Sequence, residues 1–301
     1  PASAAGPDLR QVLLGSEGRM GVLTNVVVKV AGLPEKDDVY GAFFPSWERA
    51  VHALQTIAGT DISFSMMRLS NPAETMTNLA LAGNARQIAL LSRYLRWRGI
   101  SEKKACMCLV GFTGSHRLTA AARRAAFSII RRSKGICVGK PMGKAWKKNR
   151  FQSAYLRNTL WDLGYAVDTL ETALSWDKVS PAVEAIEQSL RAAIKPDNQR
   201  VHVFSHLSHV YPSGSSIYTT FLFRLSETPA KTLEVWQRLK RAASQTIAAA
   251  GGTISHQHGV GTDHKKYMAA EKGAIGIETL EKMFNHLDPG HLMNPGKLLP
   301  D

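Results

Sequence analysis

Apolar positions along the chain alternate between two spacings, and the alternation predicts helices layered on a sheet. Runs at strand spacing are Val22–Val30, Tyr40–Phe44, Ile62–Leu69, Ala105–Phe112, Ile136–Val138, Val167–Ala173, Val201–His209 and Ser216–Phe223. Helical spacing falls between them. Ser46 is placed to cap a helix reaching Ile57, with Trp47, Val51 and Leu54 on its apolar face. Asn71-Pro72 reads as a cap followed by a first-turn proline, opening two helices that fill Ala73–Arg98. Gly114-Ser115 opens a basic helix to Arg132, Arg157 falls on a further helix, and another runs from Ser180. Pro229–Ala250 is a long amphipathic helix, and two short helices are expected after residue 261. The turn Tyr211-Pro212-Ser213-Gly214 joins two strands as a hairpin.

Charge changes this picture in one place. The formal net charge is +14, and residues 101–150 hold thirteen Lys or Arg against the single acid Glu102. Such a segment suits an acidic ligand, an anionic membrane surface or a solvated helix face. Nucleic acid is not expected, because no zinc-finger or RNP-type aromatic motif accompanies the charge. Cys106, Cys108 and Cys137 are too few and too oddly spaced for a disulfide framework or a zinc knuckle, so reduced thiols are expected. No apolar run is long enough to span a membrane, and no signal-peptide pattern is present.

The densest chemistry is Ser255-His256-Gln257-His258-Gly259-Val260-Gly261. On an extended backbone, residues two apart share a side, so His256 and His258 are expected to face one cavity. Imidazoles titrate near neutrality and suit proton transfer or anion binding. A second glycine-rich stretch, Gly15-Ser16-Glu17-Gly18-Arg19-Met20-Gly21, precedes the Val22 run; it is neither a Walker loop nor a G-x-G-x-x-G motif.

Three stretches together resemble one family. Gly15-Ser16-Glu17-Gly18-x-x-Gly21-Val22-Leu23-Thr24 resembles the second FAD-contacting segment of vanillyl-alcohol-oxidase-type flavoproteins. The tail Asp288-Pro289 to Met293-Asn294-Pro295-Gly296-Lys297 resembles the C-terminal signature of their FAD-linked oxidase branch. Between them, Ser255-His256-x-His258-Gly259-Val260-Gly261 is similar to the alkylglycerone-phosphate synthases, as are Glu171-Thr172, Trp176-Asp177-Lys178-Val179 and Gly214-x-x-Ile217-Tyr218. The resemblance implies an α+β fold: residues 1–36 as the late part of a two-part FAD-binding domain, 37–254 as a cap with a mainly antiparallel sheet covered by helices, and 255–301 as a C-terminal active-site segment near the flavin. The pyrophosphate-cradling half of that family precedes this point. The 301 residues are therefore expected to be a piece of a longer protein and to hold FAD weakly or not at all on their own.

The site residues follow from the same resemblance. It implies Tyr218 as the proton-transferring group, His256 and His258 as the histidine cluster, and Arg68 beside the flavin. Arg157 is implied to hold the substrate phosphate, with Gln257 standing where the synthases have a third histidine. Cofactor contacts are implied at Ser16, Glu17, Gly18, Arg19, Met20, Gly21 and Val22. The implied reaction exchanges the acyl group of acyl-dihydroxyacetone phosphate for a fatty alcohol in ether-lipid synthesis, with no net redox change. Its partners are thus a lipid-like phosphate ester, a fatty alcohol and an anionic membrane surface, with a homodimer left open. The location is expected to be cytoplasmic or peripheral to a membrane, and peroxisomal in a eukaryote. One alternative is an FAD-dependent 2-hydroxy-acid dehydrogenase of the D-lactate or glycolate type. Many of those relatives carry a metal-binding His-x-x-Gly-x-Gly-Asn-x-His element where this chain reads Ser205 to Gly214, so no catalytic metal is expected, and His206 and His209 are expected to face opposite sides of a strand. Another alternative is a non-catalytic membrane-surface protein built on the basic helix.

Overall fold

The computed structural model describes residues 4–82, 85–152 and 155–300. After a short helix α1 (Leu9–Leu13), the chain runs β1 (Lys36–Phe44), α2 (Trp47–Ala58), β2 (Met66–Ser70), α3 (Pro72–Leu81), α4 (Ala85–Trp97) and β3 (Cys106–Gly114). It continues with α5 (His116–Arg132), β4 (Ile136–Gly139), α6 (Pro141–Asn149), α7 (Leu156–Asp162) and β5 (Tyr165–Ser175). The last elements are α8 (Trp176–Ala193), β6 (His202–Leu207), β7 (Gly214–Arg224), α9 (Pro229–Ala249) and α10 (Met268–Leu287), which kinks at Gly273. The seven strands form one sheet in the order β4-β1-β3-β2-β6-β7-β5, with every pairing antiparallel. The α+β class and the mainly antiparallel sheet agree with expectation.

Alternation along the strands divides the apolar groups between the two faces. Tyr40, Ala42 and Phe44 of β1 join Met67, Leu69, Ile217 and Phe221 in the large core under α2, α5, α8 and α9. Phe43 points the other way, into a smaller cluster with Leu95, Ile100 and Met107. Over β2, β6, β7 and β5 that second face carries polar groups instead, and the site lies there. Ser46, Asn71 and Ser115 cap α2, α3 and α5 as their sequence positions imply, each accepting a backbone N–H. Cys106 and Cys108 are buried free thiols, which burial pushes up to about 12.

Four local expectations are corrected. Val22–Val30 forms no strand: Val22, Val27 and Val30 are exposed with no partner strand among the described residues. A β-branched run without a ladder partner leaves its backbone to water. The strand placed at Ile62–Leu69 begins only at Met66, and α8 begins at Trp176 rather than Ser180. The two short helices after residue 261 are a single 3₁₀ turn at Lys265–Tyr267 and the longer α10.

Beyond the histidine stretch, His264 is buried and its N–H donates to Val260 O. Burial, helped by the nearby Lys240 charge, pushes its imidazole down to about 4. The unfolded chain holds a proton there up to about pH 6.5. Stability from His264 is thus complete above that value and is lost as pH falls toward 4, on the order of 3 kcal/mol. We expect the melting temperature to fall across this window, and His264→Gln to flatten the fall; an unchanged slope in the variant would show that His264 does not drive it.

Candidate active site

Four adjacent strands carry a polar row across the open face. In β6 and β7 His206 lies opposite Tyr218, and in β7 and β5 Tyr218 lies opposite Glu171. Ile217 and Thr219 point away, into the core under the helices. The His206 ring stacks on Tyr218 with centroids 4.8 Å apart at 14°. The His258 ring meets Tyr218 edge-on at 5.1 Å. Arg68 of β2 reaches the other side of His206, its guanidinium 3.2 Å from Nδ1.

Behind Arg68 lies Glu74, a residue not singled out from the sequence. Asn71 Oδ1 accepts the Glu74 N–H, and Asn71 Nδ2 donates to the buried Glu187, so the first turn of α3 is pinned from two sides. The Glu74 carboxylate then accepts from Arg68 at 2.7 Å and from His206 Nδ1 at 2.9 Å. Burial works to raise this carboxyl, but His206 and Arg68 beside it hold it at about 2. Burial also drives His206 toward its neutral form. Neutral His206 with its proton on Nδ1 satisfies Glu74, which leaves the Arg68 contact to Nδ1 a close approach rather than a hydrogen bond. The sequence signal for Glu74 was the cap itself: an acid three residues after Asn71 belongs to the first turn.

At the far end of the row the carboxylate of Glu171, on edge strand β5, collects both cluster histidines. His256 Nδ1 lies 3.3 Å from Oε1 and His258 Nε2 3.4 Å from Oε2. Residues 253–256 run along the free edge of β5, where Thr253 N donates to Ala173 O and His256 N donates to Glu171 O. The backbone is not extended through the stretch, since Gln257 has φ 62° and its side chain is exposed. The two imidazoles therefore meet through a turn, by approaching one carboxylate from two sides. His256 Nε2 contacts Tyr211 Oη at 3.0 Å, and the hairpin bearing Tyr211 is held by Trp176 Nε1 donating to Tyr211 O and Pro212 O. Gly214 permits that hairpin: a Cβ there would lie 2.0 Å from Leu174 O.

His206 and His209 do not face opposite sides of a strand. The strand ends at Leu207, the chain turns, and His209 packs against His256 with centroids 5.1 Å apart. Glu171, His209 and His256 thereby place potential metal-ligating atoms within 4.8 Å of one another, a grouping that the missing His-x-x-Gly-x-Gly-Asn-x-His pattern did not suggest. Arg157 stands exposed on α7, and no hydrogen bond or ion pair among the described residues joins it to the row.

Of the seven expected cofactor residues, several are turned inward. The Glu17 carboxylate accepts the N–H groups of Val260 and Gly261, and its carbonyl accepts from Asn294 Nδ2. Arg19 donates to Lys297 O and lies over the Phe284 ring, and Met20 packs on the core. Gly18 lies against Asn294, and Ser16 O accepts the Arg19 N–H. This segment thus clasps the histidine stretch and the C-terminal tail together. Gly21 and Val22 remain open: nothing lies within 4 Å of where a Gly21 Cβ would sit, and Val22 is 78% exposed. Hydrogen bonds to a charged acceptor contribute about 1.5–3 kcal/mol each. Glu17→Ala is expected to lower unfolding stability by about 2 kcal/mol and to speed proteolysis at residues 256–261; equal stability and equal cleavage would show the clasp to be energetically idle.

A flavin fits this face. Arg68, Tyr218 and His258 offer donors along the row, and nothing among the described residues lies within 4 Å of where a Gly21 Cβ would sit, so that backbone is open to a bound group.

The chain is similar over its length to the alkyldihydroxyacetonephosphate synthases of Dictyostelium discoideum, at 29% identity over 99% of this chain, and Trypanosoma brucei brucei, at 27% over 98%. It spans about half the length of these curated relatives, 49% of each. Similarity to a mitochondrial cytochrome D-lactate dehydrogenase of Arabidopsis thaliana is weaker, at 24% identity over 99% of the chain and 49% of that relative. A solved alkyldihydroxyacetonephosphate synthase structure superposes with TM-score 0.77 at 26% identity, covering 98% of this chain and 51% of that one. A p-cresol methylhydroxylase shares the fold at TM-score 0.58 and 9% identity, over 89% of this chain and 53% of that one. The family model described as FAD linked oxidases, C-terminal domain, matches residues 33–298, and the chain belongs to that family.

Proposed function

We propose that this chain is the catalytic C-terminal part of a flavoenzyme of the alkyldihydroxyacetonephosphate synthase type, exchanging the acyl group of acyl-dihydroxyacetone phosphate for a fatty alcohol. The observation that carries the reading is the row Arg68–His206–Tyr218–His258–Glu171–His256, because it sets a phenol between cationic and imidazole groups on an open face. FAD, when bound, supplies the electron-accepting ring at which the substrate carbon is activated. Tyr218 exchanges the proton at that carbon. His258, in contact with the Tyr218 ring, and His256 supply or take up protons for the departing carboxylic acid and the entering alcohol. Arg68 places positive charge beside the reacting centre, and Arg157, exposed on α7, is assigned to the substrate phosphate by the family resemblance. Residues 1–36 belong to the flavin-holding domain, and the exposed apolar run from Val22 to Leu33 supports that assignment by offering a surface for it.

The substrates of this reading are lipids, and the cations of residues 101–150 favour residence at an anionic membrane surface, peroxisomal in a eukaryote. No helix among the described residues is long and apolar enough to cross a membrane. The deciding experiment is a flavin spectrum of the full-length protein titrated with acyl-dihydroxyacetone phosphate. A spectral change that requires the acyl ester supports the reading. Dye reduction by D-lactate or glycolate, without a response to the ester, replaces it with the dehydrogenase reading. A full-length protein without flavin removes both.

A further inference from the structure

Between the histidine stretch and α10 the chain passes over α9, and the two enclose a cavity of about 270 Å³ that no residue of the polar row lines. One wall is α9, where Lys240 and Arg241 stand four and three positions before Ser244 and so share its face. The other wall is residues 262–267, which contribute Thr262 and Lys266. The lining thus holds three cations, Lys240, Arg241 and Lys266, against one acid, Asp263. Lys240 is buried and spends two of its three N–H donors, on Asp168 Oδ2 at 2.8 Å and on Thr169 O at 3.0 Å. Ser244 is 1% exposed, yet its Oγ has no hydrogen-bond partner among the described residues. His264, next to Asp263, is buried with its Nδ1 in the same condition. An unpaired buried polar group is costly, so a hydroxyl of this kind in the wall of a cationic cavity points to a ligand.

We propose that this cavity binds a phosphate group, as inorganic phosphate or a small soluble phosphate ester, at a site separate from the polar row. The charge of the lining calls for an anion. The donors choose among anions: the Arg241 fork, the Lys240 and Lys266 ammonium groups and the Ser244 and Thr262 hydroxyls outnumber what the two oxygens of a carboxylate accept, and suit a dianion with three terminal oxygens. The volume lies just below the range of drug-sized ligand pockets, which fits a phosphate group with a few carbons and not a larger cofactor. A phosphate here joins α9 to residues 262–267. That second wall is tied to the catalytic segment, because His264 N donates to Val260 O, and Val260 and Gly261 in turn donate to the Glu17 carboxylate. Occupancy is therefore expected to hold the segment that carries His256 and His258 more firmly. The proposal goes beyond the reaction assigned above and does not depend on it.

The test measures binding of inorganic phosphate and of glycerol 3-phosphate to the full-length protein by calorimetry, at constant sodium chloride. It is done in an Arg157→Ala background, so that the residue assigned to the substrate phosphate does not contribute. Saturable binding is expected, with a Kd in the millimolar range or tighter. Arg241→Ala with Lys266→Ala is expected to weaken it tenfold or more while leaving circular dichroism unchanged, because both side chains are exposed. Ser244→Val, which keeps the shape and removes the hydroxyl, is expected to weaken it roughly threefold to tenfold, the scale of one hydrogen bond. Amide hydrogen exchange at residues 256–267 is expected to slow with phosphate in the parent and not in the double variant. Tighter binding of glycerol 3-phosphate than of inorganic phosphate identifies an ester as the occupant, and equal binding identifies the phosphate group itself. The proposal is overturned if phosphate does not bind saturably, if chloride displaces it at equal concentration, or if the double variant binds it as the parent does. Turnover is not scored, so failure here leaves the enzymatic reading standing, and loss of that reading leaves the cavity testable.

Discussion

Tyr218→Phe in the full-length protein is expected to lower turnover of acyl-dihydroxyacetone phosphate roughly 10²-fold or more, the usual scale for losing a general acid–base group. Flavin content and folding are expected to stay near normal, because the ring keeps its stacking on His206 and its edge contact with His258. The position of the ring is fixed by pairing on both sides, to His206 in β6 and Glu171 in β5. A phenol accepts a proton poorly at neutral pH unless its surroundings stabilise the anion. His258 meets the Tyr218 ring edge-on, and Arg68, paired with Glu74, lies beyond His206. Turnover by the Phe variant close to that of the parent would make Tyr218 a packing aromatic, and the loss of flavin on substitution would make it a binding residue.

Local signals placed most elements of the fold. Ser46, Asn71 and Ser115 cap helices because a short polar side chain before an apolar repeat can satisfy the first free N–H groups of the helix. Strand alternation set Tyr218 apart from Ile217 and Thr219, and the structure turns those two into the core. The same rule failed where a strand was taken to continue: His209 lies beyond the end of β6, and no local pattern announces the turn that brings it to His256. Val22–Val30 misled for the complementary reason, since β propensity describes fit to a sheet and not the presence of a neighbouring strand. The clasp made by Glu17 was out of reach of local reading, because it joins residues 243 positions apart. Its family resemblance pointed to cofactor contact, whereas the carboxylate is spent on the backbone of the histidine stretch. Glu74 and Glu171 illustrate a general difficulty. A buried acid is recognised by the cations and imidazoles that the fold gathers around it, and these come from β2, β6 and residues 256–258.

Glu171 carries the second large expected effect. Its carboxylate is 3% exposed, accepts from Ser208 Oγ, and lies between His256 and His258. A buried carboxylate needs partners to offset its desolvation, and here two imidazoles and a hydroxyl provide them. In return it fixes both rings in position relative to Tyr218. Glu171→Gln keeps the shape and one acceptor oxygen but removes the charge that both imidazoles face. A hydrogen bond to a charged group contributes about 1.5–3 kcal/mol, which at about 1.4 kcal/mol per decade corresponds to roughly a tenfold to hundredfold fall in turnover. The fall is expected in kcat rather than KM, since Glu171 is buried beneath the histidines and does not meet the substrate. Glu171→Ala is expected to cost as much in turnover and more in stability, because it leaves the Ser208 hydroxyl without its acceptor and removes the carboxylate that both histidines approach. If Glu171→Gln turns over at the parent rate while Tyr218→Phe does not, the histidines are positioned by Tyr211 and the backbone instead, and Glu171 serves only to hold residues 253–258 against the edge of the sheet.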